Sequence, residues 1–177
     1  MRSIARDPLL AFARVVLFLA MGLCGLVGAV MLVTAPFMIF GRFSILDDVS
    51  ADLEGATTGT FLAIGGVMLL VAVAAALAFL FLRHLLRIID SVGEGDPFVP
   101  VNATRLAAMA WLTIAIEALT YPIGGLGILI ARSFPNVHSD LEVGFSLSGV
   151  LLAVILFILA RVFRKGAQMR ADLEGMV

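Results

Sequence analysis

Four long blocks of apolar residues, each closed by a short polar break, organise this chain. They cover about residues 15–40, 57–82, 106–131 and 143–162. Within a block the apolar positions do not alternate, and they do not form a narrow stripe; they run on for more than 18 residues, the pattern of a transmembrane helix. The first block, as a helix, is about 39 Å long at 1.5 Å per residue. That exceeds a hydrocarbon core of about 30 Å, so the helix tilts or projects beyond it. Gly22, Gly25 and Gly28 recur at a spacing of three, which predicts a surface that another helix approaches closely. A secretory signal peptide cut after Val33-Thr34-Ala35 is the competing reading. The block is too long for it and Pro36 would follow the cut, so a retained span is expected.

The polar breaks differ in character. Residues 41–57 carry Asp47, Asp48, Asp52 and Glu54 against Arg42 alone. A short amphipathic helix with Ser50 as N-cap and Gly55 as stop is predicted there. The acids lack the spacing of a calcium loop and read as a solvated face. Residues 83–105 form the most structured break: Leu85, Leu86, Ile88, Ile89 and Val92 continue a helical stripe among Arg83, Arg87 and Asp90. The second span should therefore run on as an amphipathic helix. Gly93 and Gly95 are expected to stop it and Pro97 and Pro100 to hold the connection extended, with Asn102 as N-cap of a third helix starting near Ala103. The tail ARVFRKGAQMRADLEGMV, residues 160–177, keeps a helical pattern in which Val162, Met169 and Leu173 share a face. The apolar stripe around Ile88 and Ile89 must bury on that face or form a groove for a partner.

Within the third block Thr113, Glu117, Thr120, Tyr121 and Gly124 lie close together at helical spacing, one polar stripe on one helix face. Pro122 should kink this helix, and Gly124, Gly125 and Gly127 should loosen its later turns. Glu117 is the acid at membrane depth, at a cost of about 2.5–3.5 kcal/mol if charged. Two readings stand side by side: a proton-sensing or ligand-binding carboxylate, and an interhelical hydrogen bond to Thr or Ser that locks the helices.

Composition agrees with the pattern. The 177 residues are 62% hydrophobic, with a mean hydropathy of +1.12, too apolar for a soluble domain to cover its own surface. Of the 12 Lys and Arg, only Arg42 and Arg132 fall on one side of the spans. Arg2, Arg6, Arg14, Arg83, Arg87, Arg105, Arg161, Arg164, Lys165 and Arg170 flank the other. By the positive-inside rule both termini and the middle break are cytoplasmic. The expected fold is thus all-α: an integral-membrane four-helix bundle, both termini cytoplasmic, with cytoplasmic helix extensions.

Chemistry is sparse. Cys24 is the single cysteine, so neither a disulfide framework nor a CxxC pair can form. His84 and His138 sit in different breaks, which argues against a zinc site; no cofactor or metal is expected. The run Gly144–Gly149 departs from the spacing of a serine-nucleophile elbow and has no histidine in a span as its base. No basic reading motif for direct nucleic-acid contact stands out. The chain is expected not to be an enzyme.

The segment GDPFVPVNATRL, following LLRIIDSV, and the tail QMRADLEGMV resemble a bacterial family of small four-span membrane proteins called domain of unknown function 2975. The matching positions are Gly95, Pro97, Phe98, Asn102, Arg105 and Leu106. Members are often encoded beside a small Cro/repressor-type helix-turn-helix protein. The resemblance therefore implies an inner-membrane protein, set in the lipid bilayer, that anchors or controls such a regulator. On that reading the cytoplasmic contact residues are Arg87, Ile88, Ile89, Asp90, Asp96, Phe98, Asn102, Arg105, Met169 and Leu173. Two alternatives stand: a small transporter or ligand- and proton-sensing protein using Glu117 with Thr113, Thr120 and Tyr121, which would need a homo-oligomer because four spans are few, and a structural subunit of a membrane assembly.

Overall fold

The structure is a computed structural model and describes residues 8–40, 58–134 and 146–174. Four helices make up nearly all of it: α1 (Pro8–Phe40), α2 (Thr58–Gly93), α3 (Pro100–Ser133) and α4 (Leu147–Glu174). The described residues contain no strand. The acidic break with Asp47, Asp48, Ser50, Asp52 and Glu54, and the connection that holds His138, lie outside the described residues.

All four helices are long and apolar enough to cross a membrane, and the chain is a multi-pass membrane protein. Of their most apolar 18-residue windows only 6%, 11%, 0% and 22% is buried within the protein. Surface that apolar needs a hydrocarbon solvent. At 28 residues even α4 spans about 42 Å, well over the core's ~30 Å, so every helix carries turns that leave the hydrocarbon. Of the break 83–105, only residues 94–99 are outside a helix.

The chain forms two compact units. The first combines residues 8–23 of α1, 77–93 of α2, 100–115 of α3 and the whole of α4. Its core is Ile88, Leu106, Met109, Ala110, Leu156 and Ala160, ringed by Phe81, Leu85, Ala107, Phe157 and Phe163. Steps of three and four along each helix supply most of these side chains, as burial of one helix face requires. Met109 and Ala110 are at most 2% exposed. Arg14 on α1 closes the outside of this unit by pairing with Asp90 on α2 at 2.5 Å.

The second unit holds residues 24–40 of α1, 58–76 of α2 and 116–133 of α3. Most of its buried apolar side chains are small, Ala35, Ala63 and Ala72, with Phe61 the large one. Small residues are how helices approach one another in lipid, where apolar burial alone gives no drive to associate. Of the three glycines spaced along α1, only Gly28 makes such an approach, with Ala75 Cβ 3.5 Å from where its own Cβ would sit. No described atom comes within 4 Å of the corresponding points on Gly22 and Gly25. The Thr60 hydroxyl donates to Ser133 Oγ at 2.9 Å and ties α2 to α3. Through Pro122 and the glycines after it, α3 continues unbroken to Ser133.

The turn from α2 to α3 departs from expectation in its details. α2 ends in a Schellman motif: the Gly95 amide donates to the Val92 carbonyl at 3.0 Å and the Asp96 amide to the Ser91 carbonyl at 3.2 Å. Gly95 is the residue that turns, at φ 92°, while Gly93 is still helical. Pro100 is not in an extended connector; it opens α3, where its fixed φ suits the first helical position and its missing amide costs nothing.

Substitution should separate these roles. Gly95→Ala forces an L side chain into a left-handed backbone and should cost about 1–2 kcal/mol. Gly125→Ala, in a helix interior with open space around it, should be neutral or stabilise by up to about 1 kcal/mol. Thermal unfolding in detergent, followed by circular dichroism, checks both.

Candidate functional site

Polar chemistry in the first unit gathers where α2 turns into α3. Asn102 does not cap α3 as its position suggests; it lies within the first turn, its amide bonded to the Val99 carbonyl at 2.9 Å. Its side chain is fully buried, and a buried amide has to find its partners inside the protein. Nδ2 donates to Ser91 Oγ at 2.6 Å and to the Pro97 carbonyl at 3.0 Å. Oδ1 accepts from Arg105 Nη1 at 2.9 Å, and the same nitrogen donates to the Arg87 carbonyl at 2.9 Å. The Ser91 hydroxyl donates its own proton to the Ile88 carbonyl at 2.7 Å. One side chain thus joins the end of α2, the turn and the start of α3.

The end of α4 docks on the outside of that turn. Phe98 lies against Phe163 with ring centroids 5.3 Å apart, over Gly166. A Cβ on Gly166 would come within 2.8 Å of Phe98 Cδ1, so the ring needs glycine there. One turn on, Arg170 forms an ion pair with Asp96. Phe163, Gly166 and Arg170 are spaced three and four apart and make one face of α4.

This arrangement re-sorts the contact residues expected from sequence. Ile88 is buried in the core against α3 and α4, and Ile89 is half-buried. Met169 and Leu173 do not cover that stripe; they are 55% and 63% exposed, and Val162 on the same face is 54% exposed. Asn102, Arg105, Asp90 and Asp96 are committed to contacts within the chain. Arg87 and Phe98 remain accessible. A cleft of about 310 Å³ opens beside them, lined by Arg87, Asp90, Ser91, Glu94, Val99, Val101 and Arg105. Phe163, Gly166, Arg170 and Ser91 do not stand out in the sequence. The spacing 163, 166, 170 opposite an aromatic and an acid in the turn is the signal available for them.

His84 lies one turn before Arg87. Its Nδ1 is buried with no hydrogen-bond partner among the described residues. Desolvation lowers its pKa below the ordinary 6.5, and Arg87, Arg105 and Arg83 add to this by repelling a second positive charge.

The intramembrane stripe is built differently. The Thr113 hydroxyl donates to the Met109 carbonyl at 3.0 Å and that of Thr120 to the Glu117 carbonyl at 2.6 Å, so each threonine is satisfied on its own helix. Glu117 is half-buried and Tyr121 exposed. Among the described residues no donor reaches the Glu117 carboxylate, and no three His, Cys, Asp or Glu side chains are placed to hold a metal ion.

Residues 66–177 match the family described as Protein of unknown function (DUF2975). The chain belongs to that family. The match takes in the whole clasp around Asn102 and all of α4. No curated protein and no solved structure matches the chain.

Three outcomes are expected for this DUF2975 member. Asn102→Ala leaves the Pro97 carbonyl without its donor and takes from Arg105 one of its two acceptors, and should destabilise by about 1–3 kcal/mol in thermal unfolding. Gly166→Ala should expose the α4 end to protease by lifting Phe98, and Phe98→Ala should expose it too, the two changes together doing less than the sum of their separate effects because they remove one contact. For His84, the unfolded chain binds more protons than the folded one between the lowered pKa and 6.5. Stability should therefore be full above about pH 7.5 and fall as pH drops through 6.5. In His84→Gln that component of the pH profile should vanish.

Proposed function

We propose that this protein is a non-enzymatic membrane protein of the bacterial inner membrane, with both termini in the cytoplasm. On this reading it presents the α2–α3 turn and the end of α4 as a platform for a cytoplasmic partner. The orientation is supported by the placing of Arg and Lys, all but Arg42 and Arg132 flanking one side of the spans.

The observation that carries the platform reading is the cleft bordered by Arg87, Asp90, Glu94, Val99, Val101 and Arg105. It offers both signs of charge beside apolar surface, and Val101 is 51% exposed at the polar end of its helix. Met169 and Leu173 add exposed apolar surface on α4 among basic residues. Such surface suits an amphipathic protein segment. The partner we favour is a small Cro/repressor-type helix-turn-helix protein, held at the membrane and so kept from its operator.

Affinity purification of the tagged protein from its native membrane, read by mass spectrometry, tests this. A small helix-turn-helix protein should be recovered with the wild type and be lost with Val101→Glu or with Met169→Glu combined with Leu173→Glu. Those side chains are exposed, so the helices should remain assembled. Disrupting Ile88 would instead damage the core. Undiminished recovery with all of these surface variants would show that the surface is the wrong one, and recovery of integral membrane proteins alone would favour a subunit role.

A further inference from the structure

A second cleft, of about 510 Å³, lies between α3 and α4 and is lined by Ala107, Phe157, Ala160, Arg161, Arg164, Lys165 and Gln168. Its two ends differ in chemistry. Ala107 and Ala160 are small enough to leave the space open, and Phe157 forms an apolar wall. Trp111, one turn deeper on α3, meets Phe157 edge-on with centroids 5.6 Å apart, and it is 65% exposed. At the other end Arg161, Arg164 and Gln168 follow Phe157 at steps of four, three and four, with Lys165 beside them.

Three cations converge there and no acid lines the cleft. Among the described residues the ion pairs are Arg14 with Asp90 and Arg170 with Asp96, so Arg161, Arg164 and Lys165 have no acidic partner there. Like charges gathered at one opening repel unless an anion joins them. Arg161, Arg164 and Lys165 follow the uncharged stretch Leu147–Ala160 of α4, and basic side chains placed after an apolar run reach for the headgroups. The apolar end then faces acyl chains and the cationic end faces headgroups.

We propose that this cleft binds an anionic phospholipid. Arg161, Arg164, Lys165 and Gln168 hold the phosphate, and Ala107, Phe157 and Ala160 take the first part of an acyl chain. The site is separate from the partner platform and stands or falls apart from it. A phosphate is the shared chemistry of a lipid headgroup and free phosphate; the apolar floor and the Phe157 wall select the lipid.

The test is lipid retention by the full-length protein. Delipidated protein in detergent is offered phosphatidylglycerol or phosphatidylcholine, and bound lipid is read by native mass spectrometry. Phosphatidylglycerol should be retained in preference. Removing one charge should weaken it about fivefold, the equivalent of about 1 kcal/mol per basic residue, and R161Q/R164Q/K165Q should weaken it about 100-fold. Arg83→Gln, an exposed cation outside the cleft, should leave retention unchanged. Ala107→Leu fills the floor and should lower lipid retention while leaving any competition by inorganic phosphate as it was. Equal retention of phosphatidylcholine, or undiminished retention in the triple variant, would overturn the proposal. So would displacement by millimolar inorganic phosphate together with no effect of Ala107→Leu, which is the behaviour of a free-phosphate site. Should the triple variant fail to fold, Lys165→Gln alone decides by its fivefold change.

Discussion

Everything at the polar end of the first unit depends on the burial of one primary amide. Asn102 is withdrawn from solvent, and both halves of its side chain are occupied, by Ser91 and the Pro97 carbonyl on one side and Arg105 on the other. Helices in lipid gain little from hiding apolar surface against each other, because hydrocarbon already solvates it. Directional bonds then decide which arrangement wins. To bring the Pro97 carbonyl onto Asn102 the chain has to reverse within a few residues of Ser91, and the Schellman turn at Gly95 does this. The backbone geometry of the turn and the polar network are thus one device.

The same device gives α4 its orientation. Its end has little of the apolar burial that would fix a helix in a soluble protein, and Met169 and Leu173 are largely exposed. What holds it is a short row of unlike contacts: a ring against Phe163, that ring seated over Gly166, and Arg170 on Asp96. Because these occupy one face, Arg161, Arg164 and Lys165 are turned toward the cleft beside α3. A helix that reads from sequence as uniformly basic near the membrane is divided by its docking into a face tied inward and a face left with unmatched charge.

The four helices are legible in the sequence because uninterrupted apolar length is the strongest pattern a chain can carry, and the stop after α2 because Gly95 has few other uses in such a place. Helix starts are less legible. Asn is a good cap in general, but here the Pro100 ring sets the first turn and the Asn102 side chain is worth more as a buried tie than as a cap. The face of α4 misleads for a related reason. Val162, Met169 and Leu173 match an apolar period, and period alone cannot tell a buried face from an exposed one. The docking face uses an aromatic, a glycine and an arginine instead, and only complementarity with Phe98 and Asp96 marks it.

The polar stripe of α3 shows why helical spacing is not the same as a network. Thr113 and Thr120 bond to carbonyls on their own helix, the cheapest solution for a hydroxyl with no water near it. That leaves the Glu117 carboxylate without a donor among the described residues. A charge held at membrane depth without a partner costs about 2.5–3.5 kcal/mol or more, comparable to the whole loss expected on removing the Asn102 side chain. A neutral carboxyl escapes most of that cost, yet it carries an O–H that itself needs an acceptor. Where the chain invests its polar groups in one another is the turn between α2 and α3, where the Asn102 amide and the Arg105 guanidinium both find partners. Binding chemistry is therefore better sought on the surfaces that this turn organises than along the stripe.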